Sequence, residues 1–450
     1  DSTAAQVKQK VFELSISAWQ TYTDTLPCID KAFVQTMKAA PAAWAITDVE
    51  GQPLSHSRLL TAVLLFRKHI KRLKGQNIGV LVPTSSGGAI ANMAGLMAGK
   101  TIVNLNYTAS EEAVGAAIEQ AEINTVITSK LFMARLKTKG FAIGEWLDGC
   151  EVVYLEDVRD TFTAASRLRM LALVKLLPAS LISLLYCRSK ALDDTAAILF
   201  SSGSEGLPKG VMLSHRNIMA NAKQIADVLN MTDDDVVMAS LPLFHAFGLT
   251  ATCYMPLISG VPMVCQPDPT DAVAVGKGVA RYRATHLCGT STFFRLYSRN
   301  KKLLPEMFRS LRITVSGAEK LQPEVREQFE LRFKTEIVEG YGCTETTPVA
   351  GVNLPDYLDT QWWRLQKGNK AGTIGMALPG SMFRVVDPDT LETLPTGEAG
   401  LILIGGTQIM KGYLNNPEKT QDVIVLRDGV RWYKSGDKGW LDEDGFLTIV

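Results

Sequence analysis

The stretch NIGVLVPTSSGGAIANMAGLMAGKTIVNLNYTASEEAVGAAIEQAEINTVITS, Asn77 to Ser129, carries the alternation that decides the fold class. An apolar β run (Ile78 to Val82) gives way to a Gly/Ser turn and a helix of small residues. A second β run (Thr101 to Leu105), another helix and a third β run (Thr125 to Thr128) follow. Strands that alternate with helices predict a parallel sheet joined by crossover helices. The pattern resumes in TAAILFSS, DVVMASLPL, PMVCQP, THLCGT, RITVSGAE and TEIVEGYG, each a short β run ending on Gly, Ser, Thr or Pro. Ligands of open α/β sheets bind beyond the C-terminal ends of the strands, so the loops after these runs are the candidate site. After about Gly372 the chain changes to short strands with tight turns. Asp444-Gly445 is a strong hairpin signal there, and the region reads as a small antiparallel β-subdomain.

With 450 residues the chain exceeds what one hydrophobic core usually supports, which favours about three domains or subdomains. Hydrophobic residues make up 46%, and 47 basic residues face 46 acidic ones. That balance excludes a nucleic-acid binder that works through a broad basic face. The seven scattered cysteines contain no C-x-x-C pair, so neither a disulfide framework nor a zinc site is indicated. We expect a reducing, cytoplasmic setting. No secretory signal opens the sequence, which begins on Asp1, and it stops at DGFLTIV in what reads as the middle of a strand.

Leu168 to Cys187 is almost wholly apolar, yet Arg169 and Lys175 interrupt it, Pro178 splits it, and Arg167, Arg188 and Lys190 flank it. A membrane-spanning helix needs about 20 apolar residues with few charges, which this stretch fails. Two readings stay open: a pair of core or surface helices, or a basic amphipathic segment that rests on a membrane or grips an acidic partner.

The loop ILFSSGSEGLPKGVMLSH, Ile198 to His215, has the composition of a phosphate cradle. Glycines let backbone N–H groups approach phosphate oxygens, Ser201, Ser202 and Ser204 add hydroxyls, and Lys209 adds a cation. Ser214 is a good N-cap for the helix that follows, whose N-terminus is expected to add partial positive charge. Lys209 does not stand where a Walker A loop needs it, which disfavours a kinase or GTPase. The stretch resembles the phosphate loop of the adenylate-forming superfamily, the acyl- and aryl-CoA synthetases, luciferases and peptide-synthetase adenylation domains. LPLFHAFG (Leu241 to Gly248), SGAEKL (Ser316 to Leu321), EGYGCTET (Glu339 to Thr346) and WYKSGDKGWLDEDGF (Trp432 to Phe446) follow in that family's order. Within it the text resembles the synthetase half of the bacterial 2-acylglycerophosphoethanolamine acyltransferase/acyl-[acyl-carrier-protein] synthetases. Ser-Glu-Gly at Glu205 fits that branch, where most of the superfamily has Ser or Thr. A carboxylate beside a triphosphate must face away, pair with a cation or help hold magnesium; we favour a pairing with a nearby Lys or Arg.

The resemblance implies two doubly wound, mostly parallel α/β subdomains and the antiparallel β-subdomain. Residues 72–230 would carry the phosphate loop, 20–71 with 231–370 the adenine and acyl pocket, and 371–450 the β-subdomain. It implies ATP and Mg2+, with a fatty acid activated as acyl-adenylate and passed to a pantetheine thiol. By the family's pattern Ser202, Gly203, Ser204, Gly206 and Lys209 cradle the β- and γ-phosphates, Thr344 bonds the α-phosphate and Glu345 ligates magnesium. Tyr341, between Gly340 and Gly342, stacks on adenine against the backbone of Gly317, Ala318 and Glu319, and Asp437 takes the ribose hydroxyls. His245 resembles the gate between acyl pocket and adenylate, with a structural histidine as the alternative. Cys288, Gly289, Thr290 and Phe293 are expected along the acyl tunnel, while Cys343 carries no mark of a nucleophile and His215 reads as structural. The family places a further small domain with a transition-state lysine after the β-subdomain. These 450 residues are therefore expected to bind ATP or acyl-adenylate but to form adenylate slowly. The acceptor implied is acyl carrier protein, with CoA as the rival, in lysophospholipid reacylation at the inner face of the bacterial inner membrane. A non-catalytic acyl or nucleotide sensor is the third possibility.

Overall fold

The computed structural model describes residues 4–140, 146–201, 208–427 and 429–450. Among them, a seven-stranded sheet runs in the order Gly412–Tyr413, Lys209–Ser214, Thr195–Ser201, Thr101–Asn104, Asn77–Leu81, Thr125–Thr128, Glu151–Tyr154. The five strands from Thr195–Ser201 to Glu151–Tyr154 are parallel, and the first two pair antiparallel. A nine-stranded sheet has Ile337–Gly342, Ile313–Ser316, His286–Gly289, Val237–Ala239, Met263–Cys265 and Trp44–Asp48 in parallel at its centre. A five-stranded antiparallel sheet closes the chain, with Val430–Leu441 and Leu447–Ile449 paired through the Asp444-Gly445 turn. This is the α/β architecture expected from the alternation of strands and helices.

Serines start the crossover helices. Ser85, Ser110 and Ser129 each accept a backbone N–H of the first turn, and Ser214 forms a reciprocal capping box with Asn217. Such caps contribute about 1 kcal/mol each. The small residues of Ser86–Met97 have a packing cause: a Cβ on Gly95 would stand 2.3 Å from Cδ1 of Ile102. The helix lies that close to the sheet. One apolar core joins both parallel sheets, from Val80, Ile102 and Leu199 through Leu64 and Met93 to Ala239, Cys265 and Ile313. At about 1.5–3 kcal/mol for each large side chain buried, it holds the two sheets in a fixed relation, with the C-terminal ends of their strands facing one cleft.

The stretch from 164 to 186 forms two short helices, Ala164–Leu176 and Ala179–Tyr186, parted at Pro178. No described helix is long and apolar enough to cross a membrane. All seven cysteines are unpaired.

Candidate active site

A cavity of about 1780 Å3 lies across the C-terminal ends of both parallel sheets. One rim is built by Ile337–Gly342 and the 3-10 turn Thr344–Thr346 that follows it. Glu345 is buried, its carboxylate accepting the Tyr413 hydroxyl at 2.8 Å and its carbonyl the Met410 N–H at 2.8 Å. Tyr413 lies on the two-residue strand that pairs with Lys209–Ser214, and Lys209 Nζ stands 5.7 Å from the centre of its ring. A cation so placed interacts favourably with the ring face. One tyrosine therefore ties the candidate magnesium ligand to the lysine of the candidate phosphate loop. Burial and the nearby Glu345 carboxylate push its phenol above the usual range, which keeps the donor protonated.

On the same rim the Tyr341 hydroxyl donates to Asp437 across 2.5 Å, bringing the candidate adenine platform and ribose acceptor together although 96 residues separate them. Gly317, Ala318, Gly340, Gly342 and Thr344 line the cavity here. Ala318 holds φ +67°, a left-handed backbone that costs an L residue about 1 kcal/mol or more. The glycines beside Tyr341 have a further cause. A Cβ on Gly342 would fall 1.7 Å from the Pro348 carbonyl oxygen, so that glycine is required by the chain's own return. Glu319 stands outside the cavity lining, its carboxylate accepting the Thr292 N–H.

His245 borders the cavity, opening onto it while protein surrounds the ring on its other sides; this enclosure lowers the imidazole pKa and favours the neutral form. Phe244 lies against it at 4.7 Å and in turn meets Tyr107 edge-on at 4.8 Å. Thr290 and Phe293 line the same wall, whereas Cys288 and Gly289 stand behind it. A Cβ on Gly289 would meet the Phe294 ring at 2.9 Å, and burial pushes the Cys288 thiol up to about 12. Packing accounts for Gly289, while Cys288 is half-buried against the core that joins the two sheets. The Cys343 thiol is likewise pushed up, first by burial and then by Glu345, which leaves it no nucleophilic character near neutral pH. His215 accepts the Ile29 N–H in the core, a structural role.

Ser202, Gly203, Ser204, Glu205 and Gly206 lie outside the described residues. One expectation for their surroundings is corrected. The strand Lys209–Ser214 intervenes before the helix His215–Val228, and Ser214 pairs with Thr195 at the opposite end of the hairpin from Lys209 and Ser201. Five strand steps of about 3.4 Å carry the helix start roughly 17 Å from the loop, and a helix terminus acts only over its last turn. The terminus of that helix therefore stands too far from Lys209 and Ser201 to add its partial charge beside them.

Sequence patterns gave no reason to single out Tyr413, which follows one glycine in an unremarkable KGYLNN, or Asp48. The latter ends a strand on the cavity wall and accepts the Ser86 N–H at 2.9 Å, with burial raising its carboxyl pKa. Among the described residues no cluster of three or more His, Cys, Asp or Glu side chains could hold a metal ion. A single buried carboxylate still suits magnesium, which takes one or two protein carboxylates and completes its shell with phosphate oxygens and water.

Residues 33–414 match the AMP-binding enzyme family, and the chain belongs to it. A long-chain-fatty-acid–CoA ligase of Salmonella typhimurium (strain LT2) is 34% identical over 261 residues, covering 57% of this chain and 44% of the ligase. This chain thus matches less than half the length of that relative. ATP-bound MatB from Rhodopseudomonas palustris superposes with a TM-score of 0.75 at 25% identity, covering 93% of this chain and 78% of MatB. The N-terminal subdomain of Klebsiella oxytoca NpsA, in complex with 3-hydroxyanthranilyl-AMSN, shares the fold. Its TM-score is 0.75 at 18% identity, over 95% of this chain and 99% of NpsA.

Proposed function

We propose that the cavity binds ATP and a fatty acid side by side and activates the acid as acyl-adenylate, which a pantetheine thiol then takes up. A carboxylate oxygen of the acid attacks the α-phosphorus and the bond to pyrophosphate breaks. In the second step the thiolate attacks the acyl carbon and AMP leaves. The observation that carries this reading is the rim itself: Glu345, Thr344, Tyr341 and Asp437 converge beside a large cavity with an aromatic and apolar wall. Tyr341 holds the purine, Asp437 the sugar, Thr344 the α-phosphate, and Lys209 with residues 202–206 the outer phosphates. Neutral His245 orients the acid's carboxylate. Glu345 would hold magnesium, which when bound with ATP offsets the charge that develops on the phosphates.

The acceptor we favour is acyl carrier protein, in the reacylation of lysophospholipids at the inner face of the bacterial membrane. It rests on the branch resemblance around Glu205. CoA is the second reading, supported by the fatty-acid–CoA ligases among the relatives. Calorimetric titration of the 450-residue chain with Mg·ATP and with a non-hydrolysable palmitoyl-adenylate tests the core of the proposal. Micromolar binding of both is expected; binding of neither overturns it. Transfer from preformed acyl-adenylate to CoA and to holo acyl carrier protein, run side by side, decides the acceptor.

A further inference from the structure

We propose that the outward face of the helix pair Ala164–Leu176 and Ala179–Tyr186 docks on an anionic phospholipid bilayer. From Thr161 to Leu192 the chain carries Arg167, Arg169, Lys175, Arg188 and Lys190 and not one acidic residue. None of these five cations forms an ion pair among the described residues. Large apolar side chains share their surface: Leu168 is 69% exposed, Leu176 81% and Leu184 73%. The pair buries only Met170, Val174 and Ile182 in the core. Leucine and cation therefore point outward together and do not segregate onto opposite sides of each helix.

The exposure is built in. Buried Asp30 accepts the N–H groups of Arg188 and Ser189, buried Arg67 donates to the Tyr186 carbonyl at 2.7 Å, and Lys38 donates to the Val174 carbonyl at 2.5 Å. Hydrogen bonds from beneath fix the pair, so the leucines cannot turn inward without breaking them. Charge complementarity selects the occupant. Lysine and arginine stems lie along acyl chains while their heads meet headgroup phosphates, and leucines enter the boundary between them. An acidic protein would use the cations and leave the leucines in water.

The surface also adjoins the cavity. Leu155 and Arg159, on the short helix Leu155–Asp160, line it together with Phe66. Phe66 meets Phe162 edge-on at 5.2 Å, immediately before the first helix of the pair. This part of the inference rests on the fatty-acid reading: an acid dissolved in the bilayer would reach the cavity beside the docked face.

Flotation with phosphatidylglycerol vesicles and with phosphatidylcholine vesicles tests the proposal on the whole chain. Binding is expected to phosphatidylglycerol, weakening as salt rises. Each cation at an anionic surface contributes about a fivefold factor, so R167E/R169E/K175E should lose at least about a hundredfold. L176S/L184S should lose binding at high salt, where leucine insertion remains. All five positions are exposed, so unchanged melting temperatures confirm folding. Equal binding to both lipids, binding unchanged in both variants, or no binding overturns the inference. Capture of acyl carrier protein by this face without vesicle binding also overturns it and gives the surface to an acidic protein. Palmitoyl-adenylate titration of the same samples separates the two claims. Vesicle binding without adenylate binding sinks the fatty-acid reading and leaves the docking face standing; the converse does the reverse.

Discussion

Replacing Tyr413 by Phe isolates one hydrogen bond at the rim. The ring stays, so no void opens and the contact with Lys209 at 5.7 Å is kept. What goes is the donor 2.8 Å from Glu345 Oε1, at a site where the two residues are only 5% and 8% exposed. A buried hydrogen bond to a charged acceptor contributes about 1.5–3 kcal/mol, which corresponds to roughly a ten- to hundredfold change in affinity if all of it positions Glu345. Because the carboxylate remains and is only loosened, the lower end applies, about tenfold. If Glu345 holds magnesium as proposed, the loss should fall on Mg·ATP, while AMP without metal should change by less than about twofold. Calorimetry with both ligands reads the split directly. Equal losses for the two, or no loss for Mg·ATP, would refute the positioning role.

Gly342→Ala places a Cβ 1.7 Å from the Pro348 carbonyl oxygen; a backbone clash of that kind should destabilise by at least about 3 kcal/mol, and an unchanged melting temperature would refute it. Asp437→Ala removes the acceptor of the Tyr341 hydroxyl; Asp437 is exposed, so melting should hardly move while AMP affinity falls by about tenfold, and equal affinities would remove Asp437 from the sugar site. Buried His286, beside Arg312, is lowered from 6.5 to about 4, first by burial. The unfolded chain therefore binds the extra proton between those values, so its contribution is whole above about pH 6.5 and is lost as pH falls toward 4. The difference amounts to about 3 kcal/mol. Proton uptake on unfolding at pH 5, seen as a pH-dependent melting temperature that flattens in His286→Gln, checks this; a profile unchanged by the substitution would overturn it.

Much of the candidate site was legible because its residues follow strands at marked turns. Thr344 and Glu345 stand after Ile337–Gly342, and Gly317 and Ala318 after Ile313–Ser316, where an α/β sheet presents its loops. Glycine was less informative. Gly289 and Gly342 look alike in the text, yet Phe294 demands one and the Pro348 carbonyl the other. A missing side chain records that something comes close, without saying whether it is ligand or chain. The helix after Ser214 was recognisable from its cap, but its distance from Lys209 and Ser201 depended on Lys209–Ser214 doubling back as an antiparallel strand.

Local patterns by themselves determined the strands, the alternating helices, the cap at Ser214, the hairpin at Asp444-Gly445 and the uncompensated positive charge of residues 161–192. Each depends on neighbours a few positions away, and so each is written in the period and composition of a short segment. Tertiary structure alone decided that Tyr413 meets Glu345 and Lys209, that Asp437 meets Tyr341, and that the leucines of 164–186 face outward. Those outcomes depend on which strand edges pair and which faces the shared core covers. Such contacts join positions tens to hundreds of residues apart, and no local period records them.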